Sequence, residues 1–203
     1  MTKLRELLFG EYDDINRALK NPGRVKRLIL VFLQSDENIN DYAEDFLKFE
    51  RLSKLSIQTS ANHVSYLPKQ IGRLKNLVEL SVLNVQFHEF PLWITELKKL
   101  KRLHLRGFNF LELNVGVKKL DNLEVLSLDN CDFTVLPTGL KMIKNLKVLN
   151  CNADWQLKIQ YELLPEKLEV LHVFRQNIIE EELLSLRSNR PELKLYFVDD
   201  GIR

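Results

Sequence analysis

LPKQIGRLKNLVELSVLNVQFHE (residues 67–89) and FPLWITELKKLKRLHLRGFNFLE (residues 90–112) are the two stretches that decide the fold. Laid one over the other, they match in their apolar positions: Ile71 over Ile94, Leu74 over Leu97, Leu77 over Leu100, Leu80 over Leu103, Val82 over Leu105 and Phe87 over Phe110. Pro68 lies over Pro91 in the same way. Inside each stretch the run Leu-x-x-Leu-x-Leu alternates apolar and polar residues, the period of a short strand with one buried face. The other apolar positions must line the path by which the chain returns to the next strand.

The step of 23 residues holds outward from this pair. The run begins at Leu77, Leu100, Leu123 and Leu146, and the columns Ile94–Val117–Leu140, Leu97–Leu120–Ile143, Phe87–Phe110–Phe133 and Phe90–Leu113–Leu136 keep the same phase. Farther out the step drifts. Leu52 opens a unit of 25 residues, Val25 one of 27, and Leu168 follows Leu146 by 22. Leu193 and Leu195 mark a last strand. The pattern predicts seven complete units and one terminal strand, with strands at 27–31, 54–58, 79–83, 102–106, 125–129, 148–152, 170–174 and 193–197. One such unit cannot bury its apolar return path alone; stacked units share a continuous core, and successive strands pair as a parallel sheet.

Only the two ends of such a stack need covering. Tyr12 to Lys20 reads as an amphipathic helix, with Tyr12, Ile15, Ala18 and Leu19 at helical spacing and Asn21-Pro22-Gly23 to stop it. Glu180 to Arg187, carrying Leu183, Leu184 and Leu186, reads as a second helix before the final strand. The organisation expected is an N-terminal helical cap over residues 1–24, seven repeats over 25–189, and a capping strand and tail over 190–203.

These residues resemble the leucine-rich-repeat family, and the stretch from Leu67 to Leu77 resembles its 23-residue Ras-group type of bacteria and plants. Ile15 to Val25 looks like the N-terminal cap of bacterial members. The resemblance runs over residues 12–203 and implies an α/β solenoid. It implies a curved right-handed horseshoe, a parallel β-sheet on its concave face, helical caps, and protein partners. It implies no reaction, because the family shares a scaffold rather than a chemistry. One departure stands out. The family places Asn or Cys at the ninth position of each unit, where it satisfies backbone groups of neighbouring coils. Here that position holds Leu33, Ser60, Val85, Phe108, Cys131, Asp154 and Gln176. Val85 and Phe108 have no side-chain hydrogen bond to offer, so their turns need another device.

Composition narrows the function. With 30 basic and 28 acidic residues the net charge is +2, which argues against a dedicated nucleic-acid or membrane binder while leaving room for a local basic patch. The two cysteines, Cys131 and Cys151, are too few for a disulfide framework, and a reducing, cytoplasmic setting is the simpler reading. The apolar run Leu7-Leu8-Phe9 is too short for a secretory signal core. Chemistry-bearing motifs are absent: there is no phosphate-cradling glycine loop, no Cys-x-x-Cys and no His-Glu-x-x-His. His104 and His172 share a strand position three coils apart, about 14 Å, too far to share a metal. Lys98, Lys99, Lys101, Arg102 and Arg106 form the densest basic cluster, but Lys98 and Lys99 belong to the return segment while Arg102 and Arg106 point from the strand, so they face different directions. No cofactor, no metal and no catalytic constellation is expected.

The outward strand positions carry the functional signal. One column runs Arg27, Lys54, Glu79, Arg102, Val125, Val148, Val170; the middle one Ile29, Ser56, Ser81, His104, Ser127, Asn150, His172, Lys194; the third Val31, Gln58, Leu83, Arg106, Asp129, Asn152, Phe174, Tyr196. Solvent-facing valines beside aromatics, with polar residues around them, are what an interface core with a rim requires. The expected docking surface is Val125, Val148, Val170, Phe174 and Tyr196, surrounded by Arg102, His104, Arg106, Asp129, Asn150, Asn152 and His172. The function expected is a cytoplasmic, bacterial, monomeric protein-binding module, with no nucleic acid and no membrane among its partners. A secreted or surface effector that binds host proteins, and a regulatory part of an enzyme complex, are the alternatives. Trp93 and Trp155 lie off the strands, as exposed anchors or as packing.

Overall fold

The computed structural model describes residues 2–32, 38–59, 66–85, 87, 89–107, 112–113, 115–130, 134–152 and 156–198. The elements are α1 (Thr2–Phe9), β1 (Glu11–Tyr12), α2 (Ile15–Leu19), β2 (Arg27–Phe32), β3 (Lys54–Thr59), β4 (Glu79–Leu83), β5 (Arg102–Arg106), β6 (Val125–Asp129), β7 (Val148–Asn152), β8 (Val170–Phe174), α3 (Glu180–Asn189) and β9 (Lys194–Val198), with short 3-10 turns on the return paths. The strands form one open sheet in chain order, β1 to β9, and every adjacent pair is parallel. Sequential order with parallel pairing is the topology of a solenoid: each coil crosses back behind the sheet before laying its next strand beside the last.

Strand alternation divides the side chains as the repeat predicts. From β2 to β8 the inward pairs, such as Leu80 with Val82, Leu103 with Leu105 and Leu126 with Leu128, are at most 3% exposed. They join the apolar return residues in a single core running from Tyr12 to Leu193. The return turns of the central coils are Lys69–Arg73, Leu92–Glu96, Val115–Lys119 and Leu140–Met142. Pro68 and Pro91 open the first two, where a missing N–H costs nothing because the first turn has no acceptor for it. Ile71 and Ile94 then close the turns onto the proline carbonyls at 3.1 and 3.0 Å.

Two hydrogen-bond ladders link successive coils, one at each end of the strands, and the second serves the turns that lack the usual asparagine. The first stands just before each strand run: Asn76, Asn122 and Asn145 donate side-chain N–H to the carbonyls of Glu50, Lys98 and Asp121 in the preceding coil, at 2.8, 2.8 and 2.7 Å. Lys99 and Lys167 donate to the amide oxygens of Asn76 and Asn145, each at 2.7 Å, carrying the ladder into the next coil. The second stands one residue before the expected ninth position. Asn84, Gly107 and Asn130 adopt left-handed backbone (φ 61°, 82° and 48°), the conformation that Gly and Asn tolerate best. Their N–H groups reach the carbonyls of Arg106, Asp129 and Asn152 at 3.0, 3.0 and 2.8 Å, extending the sheet by a rung. Val85 can therefore be an apolar, fully buried residue.

The ends depart from expectation. Tyr12 is not helical. It pairs with Leu28 in the extra strand β1, so the described sheet has nine strands rather than eight. The helix starts only at Ile15, because Asp14 is extended (φ −144°, ψ 125°) and caps it through a 2.7 Å bond from the Arg17 N–H. At the other end α3 continues to Asn189, two residues past the expected Arg187, with Leu183 and Leu186 buried and Leu184 57% exposed. Strand β9 is also shifted. Lys194 pairs with Val170 and Tyr196 with His172, so Lys194 joins the first outward column and Tyr196 the middle one. The cause is a residue missing between Leu193 and Leu195: the run Leu-x-x-Leu shortens to Leu-x-Leu. Of the expected phenylalanine column, Phe87 is buried (6% exposed), while Phe110 and Phe133 lie outside the described residues.

Candidate functional site

The outward face of the sheet is assembled from three columns whose neighbours are fixed by strand pairing. At its N-terminal half the first column is an ion ladder. Glu79 accepts from Arg102 Nε at 3.0 Å and faces Lys54 Nζ at 3.3 Å, and Arg27 lies 3.6 Å from Glu11. Burial alone would raise the Glu79 carboxyl, but hydrogen bonds and charge from Arg102 and Lys54 outweigh it and hold the group below the ordinary carboxylate range.

In the middle column Ser127 links three strands. Its Oγ lies 2.9 Å from His104 Nδ1 and accepts from Asn150 Nδ2 at 2.7 Å. These neighbours cover it, so a residue expected to be outward and hydrogen-bonding is only 2% exposed. In the third column Asn152 Nδ2 donates to Asp129 Oδ1 at 2.9 Å. Desolvation by burial pushes the Asp129 carboxyl up, and the Asn152 hydrogen bond with the charges of His104 and Arg106 offsets this only in part.

The C-terminal half is apolar. Val125, Val148 and Val170 are register neighbours in the first column, all half-buried. His172 and Tyr196 stack, ring centroids 5.1 Å apart and planes 16° off parallel, with Tyr196 still 51% exposed. Phe174, half-buried, pairs with Val198. All twelve residues singled out from the sequence thus lie on strands of this one sheet. Tyr196 stands one column away from its expected place, against His172 rather than Phe174.

Other candidates disperse. Lys98 turns back to the Thr95 carbonyl (2.9 Å), Lys99 to Asn76 (2.7 Å), Lys101 to Glu124 (3.5 Å) and Arg102 to Glu79 (3.0 Å), so four of the five cations of the basic cluster turn to separate partners. Cys151 is a buried inward residue. His63, His88, Phe108, Cys131 and Trp155 lie outside the described residues. Trp93 packs half-buried against the core and lines a depression of about 450 Å³ with Tyr66, Leu67, Phe87, Glu89, Pro91 and Leu92, on the return side. Sequence reading had no signal for that hollow, since it depends on how two return paths meet.

Comparison with known proteins bears on this scaffold. A family model described as a leucine-rich repeat region matches residues 13–195. Among solved structures, a leucine-rich-repeat protein of Leptospira interrogans superposes with a TM-score of 0.60 at 24% identity. The match covers 86% of this chain and 49% of that one, so the chain spans about half the length of that structure. No curated protein matches.

Proposed function

The chain belongs to the leucine-rich-repeat family, and from that premise we propose that it is a non-enzymatic module that holds a protein partner on the outward, concave face of its sheet. Domains of this family are characteristically protein–protein interaction modules. The finer statement, where the partner sits, rests on one observation above all: the valine stripe Val125–Val148–Val170 runs beside the His172–Tyr196 stack and Phe174. Exposed aromatics in an apolar setting are where interface energy concentrates, often about 2 kcal/mol or more per anchor. The polar surround is Arg102, His104, Arg106, Asp129, Asn150, Asn152 and His172, and several of these are held before any partner arrives: Arg102 by Glu79, His104 and Asn150 by Ser127, and Asn152 by Asp129. Such preorganisation reduces the ordering cost of binding. A cytoplasmic setting, the 23-residue Ras-group type and a monomeric state complete the reading; the buried Cys151 and the regular step from Leu77 to Leu146 favour the first two.

The test is a paired affinity capture from native cell extract, with wild type, Phe174→Ala and Tyr196→Ala as baits and partners quantified by mass spectrometry. Proteins enriched on wild type should fall by about ten-fold or more on each variant, while circular dichroism shows both variants folded. Equal recovery on all three baits, with loss on a Trp93→Ala bait instead, would move the interface to the return side and refute the assignment.

A further inference from the structure

At the opposite end of the sheet from Tyr196, α1 leaves three consecutive large apolar residues in solvent: Leu7, Leu8 and Phe9 are 60%, 62% and 59% exposed. A surface helix ordinarily buries such residues. Four cations stand near them. Lys3 and Arg5 stand one helical turn before Leu7 and Phe9 and are exposed. Arg24 donates to the Leu7 carbonyl at 3.4 Å. Lys26 approaches Gly10, the residue after Phe9: a Cβ on Gly10 would lie 3.3 Å from its Cγ. None of the four has an ion-pair partner among the described residues, whereas the nearby acids do: Glu6 faces Arg17 at 3.3 Å and Glu11 faces Arg27 at 3.6 Å. Asp13 also pairs with Arg17.

The tip is held in place rather than dangling. Gly10 sits at φ +67°, and a Cβ there would come within 2.3 Å of the Arg24 carbonyl, so the tight joint between α1 and β1 requires glycine. The Gly10 carbonyl accepts from both Lys26 N (2.8 Å) and Arg27 N (3.0 Å), tying the joint to the first repeat strand.

We propose that this tip is a docking site for an anionic lipid surface. An apolar wedge flanked by cations that have no ion-pair partner among the described residues complements a bilayer whose headgroups are negative and whose interior is apolar. The cations beside the wedge are what favour an anionic lipid surface as its occupant. Leu7, Leu8 and Phe9 spread over about 200° of the helix circumference, which a fluid surrounding can accept. No helix of the described residues is long and apolar enough to cross a membrane, so α1 would lie in the interface. The whole-chain charge balance, which argued against a membrane partner, averages over this segregation. The tip and the face around Tyr196 are at opposite ends of the sheet, so the two sites can be occupied together.

Vesicle co-sedimentation tests the proposal, with phosphatidylcholine vesicles and phosphatidylcholine–phosphatidylglycerol vesicles as probes. The wild-type chain should pellet with the anionic vesicles, weakly or not at all with the neutral ones, and less as salt rises. Leu8→Ala with Phe9→Ala should weaken partitioning about ten-fold or more. Lys3→Ala and Arg5→Ala should each weaken it about five-fold. An unchanged far-ultraviolet spectrum and melting point keep the comparison valid. Wild type remaining in the supernatant with anionic vesicles overturns the proposal. So does binding that survives both sets of substitutions, and so does sedimentation without vesicles that the apolar substitutions abolish, which would make the tip a self-association surface.

Discussion

Ser127→Ala should destabilise the protein measurably although it removes a single oxygen from the sheet face. Ser127 is 2% exposed, and its hydroxyl carries two hydrogen bonds, 2.9 Å to His104 on β5 and 2.7 Å from Asn150 on β7. Each bond contributes about 0.5–1.5 kcal/mol net. His104 and Asn150 are only half-buried, so water can reach part of what the hydroxyl leaves unpaired, and the loss should be about 1–2 kcal/mol. For a chain of this size that corresponds to roughly 2–8 °C in melting temperature. Urea unfolding followed by circular dichroism gives the comparison, with an unchanged slope showing that the unfolding unit is the same. Ser56→Ala is the matched control. Ser56 occupies the same column, paired with Ile29 and Ser81, and has no side-chain hydrogen bond among the described residues. Its loss should stay within about 0.5 kcal/mol, as for an ordinary surface change. Equal effects at the two serines, or none at Ser127, would mean that the Ser127 contacts contribute nothing and that the face is not held by them.

Asp129→Asn tests the buried carboxyl. Its folded pKa lies above the ordinary value of 3.8 because burial disfavours the charge, so the folded state holds the proton more tightly than the unfolded one. Stability from this group therefore falls as pH rises from about 3.8 through the folded pKa. The variant should be at least as stable as wild type at pH near 7, with the difference shrinking on acidification; a pH-independent loss in urea titrations would contradict the sign. Asn145→Ala should cost about 0.5–1.5 kcal/mol by leaving the Asp121 carbonyl without its 2.7 Å donor and Lys167 without its acceptor. Lys167→Ala alone should cost less, and the reverse ranking in thermal melts would mean that the lysine rather than the amide carries the ladder.

Inward positions were legible in the sequence because one physical demand fixes them all. Leu80, Leu103, Leu126 and Leu149 must be apolar and must recur with the coil, and each is at most 1% exposed. Strands β4 to β8 accordingly lie where the repeat places them. Where the demand changes, the reading slips. Tyr12 satisfies a helical apolar pattern and an edge strand equally well, and only the extended Asp14 decides between them. The shortened run at Leu193 and Leu195 moves every outward side chain of β9 by one column, a displacement that a pattern of leucines conceals. The ladder of Asn76, Asn122 and Asn145 was not read from the sequence, where Lys99 interrupts the column and polar columns look alike until the carbonyls they reach are known.

The sheet face divides into halves that differ in what a partner must give up to occupy them. Around Glu79 the charges already satisfy one another: Arg102 and Lys54 share its carboxylate, and Arg27 faces Glu11. A partner covering that half would have to desolvate paired ions, and the cost of dehydrating charges can exceed what new contacts return. Around Val148 and Val170 no such penalty arises. Covering half-buried valines and the His172–Tyr196 stack removes apolar area from water while leaving the bonds of Ser127 and Asp129 intact. On the proposed assignment, the same ladder that stabilises the strands would make the C-terminal half the part of the face where association costs least. Substitutions that unpair Glu79, such as Arg102→Ala, belong to the rim and should alter association rate and its salt dependence more than residence time.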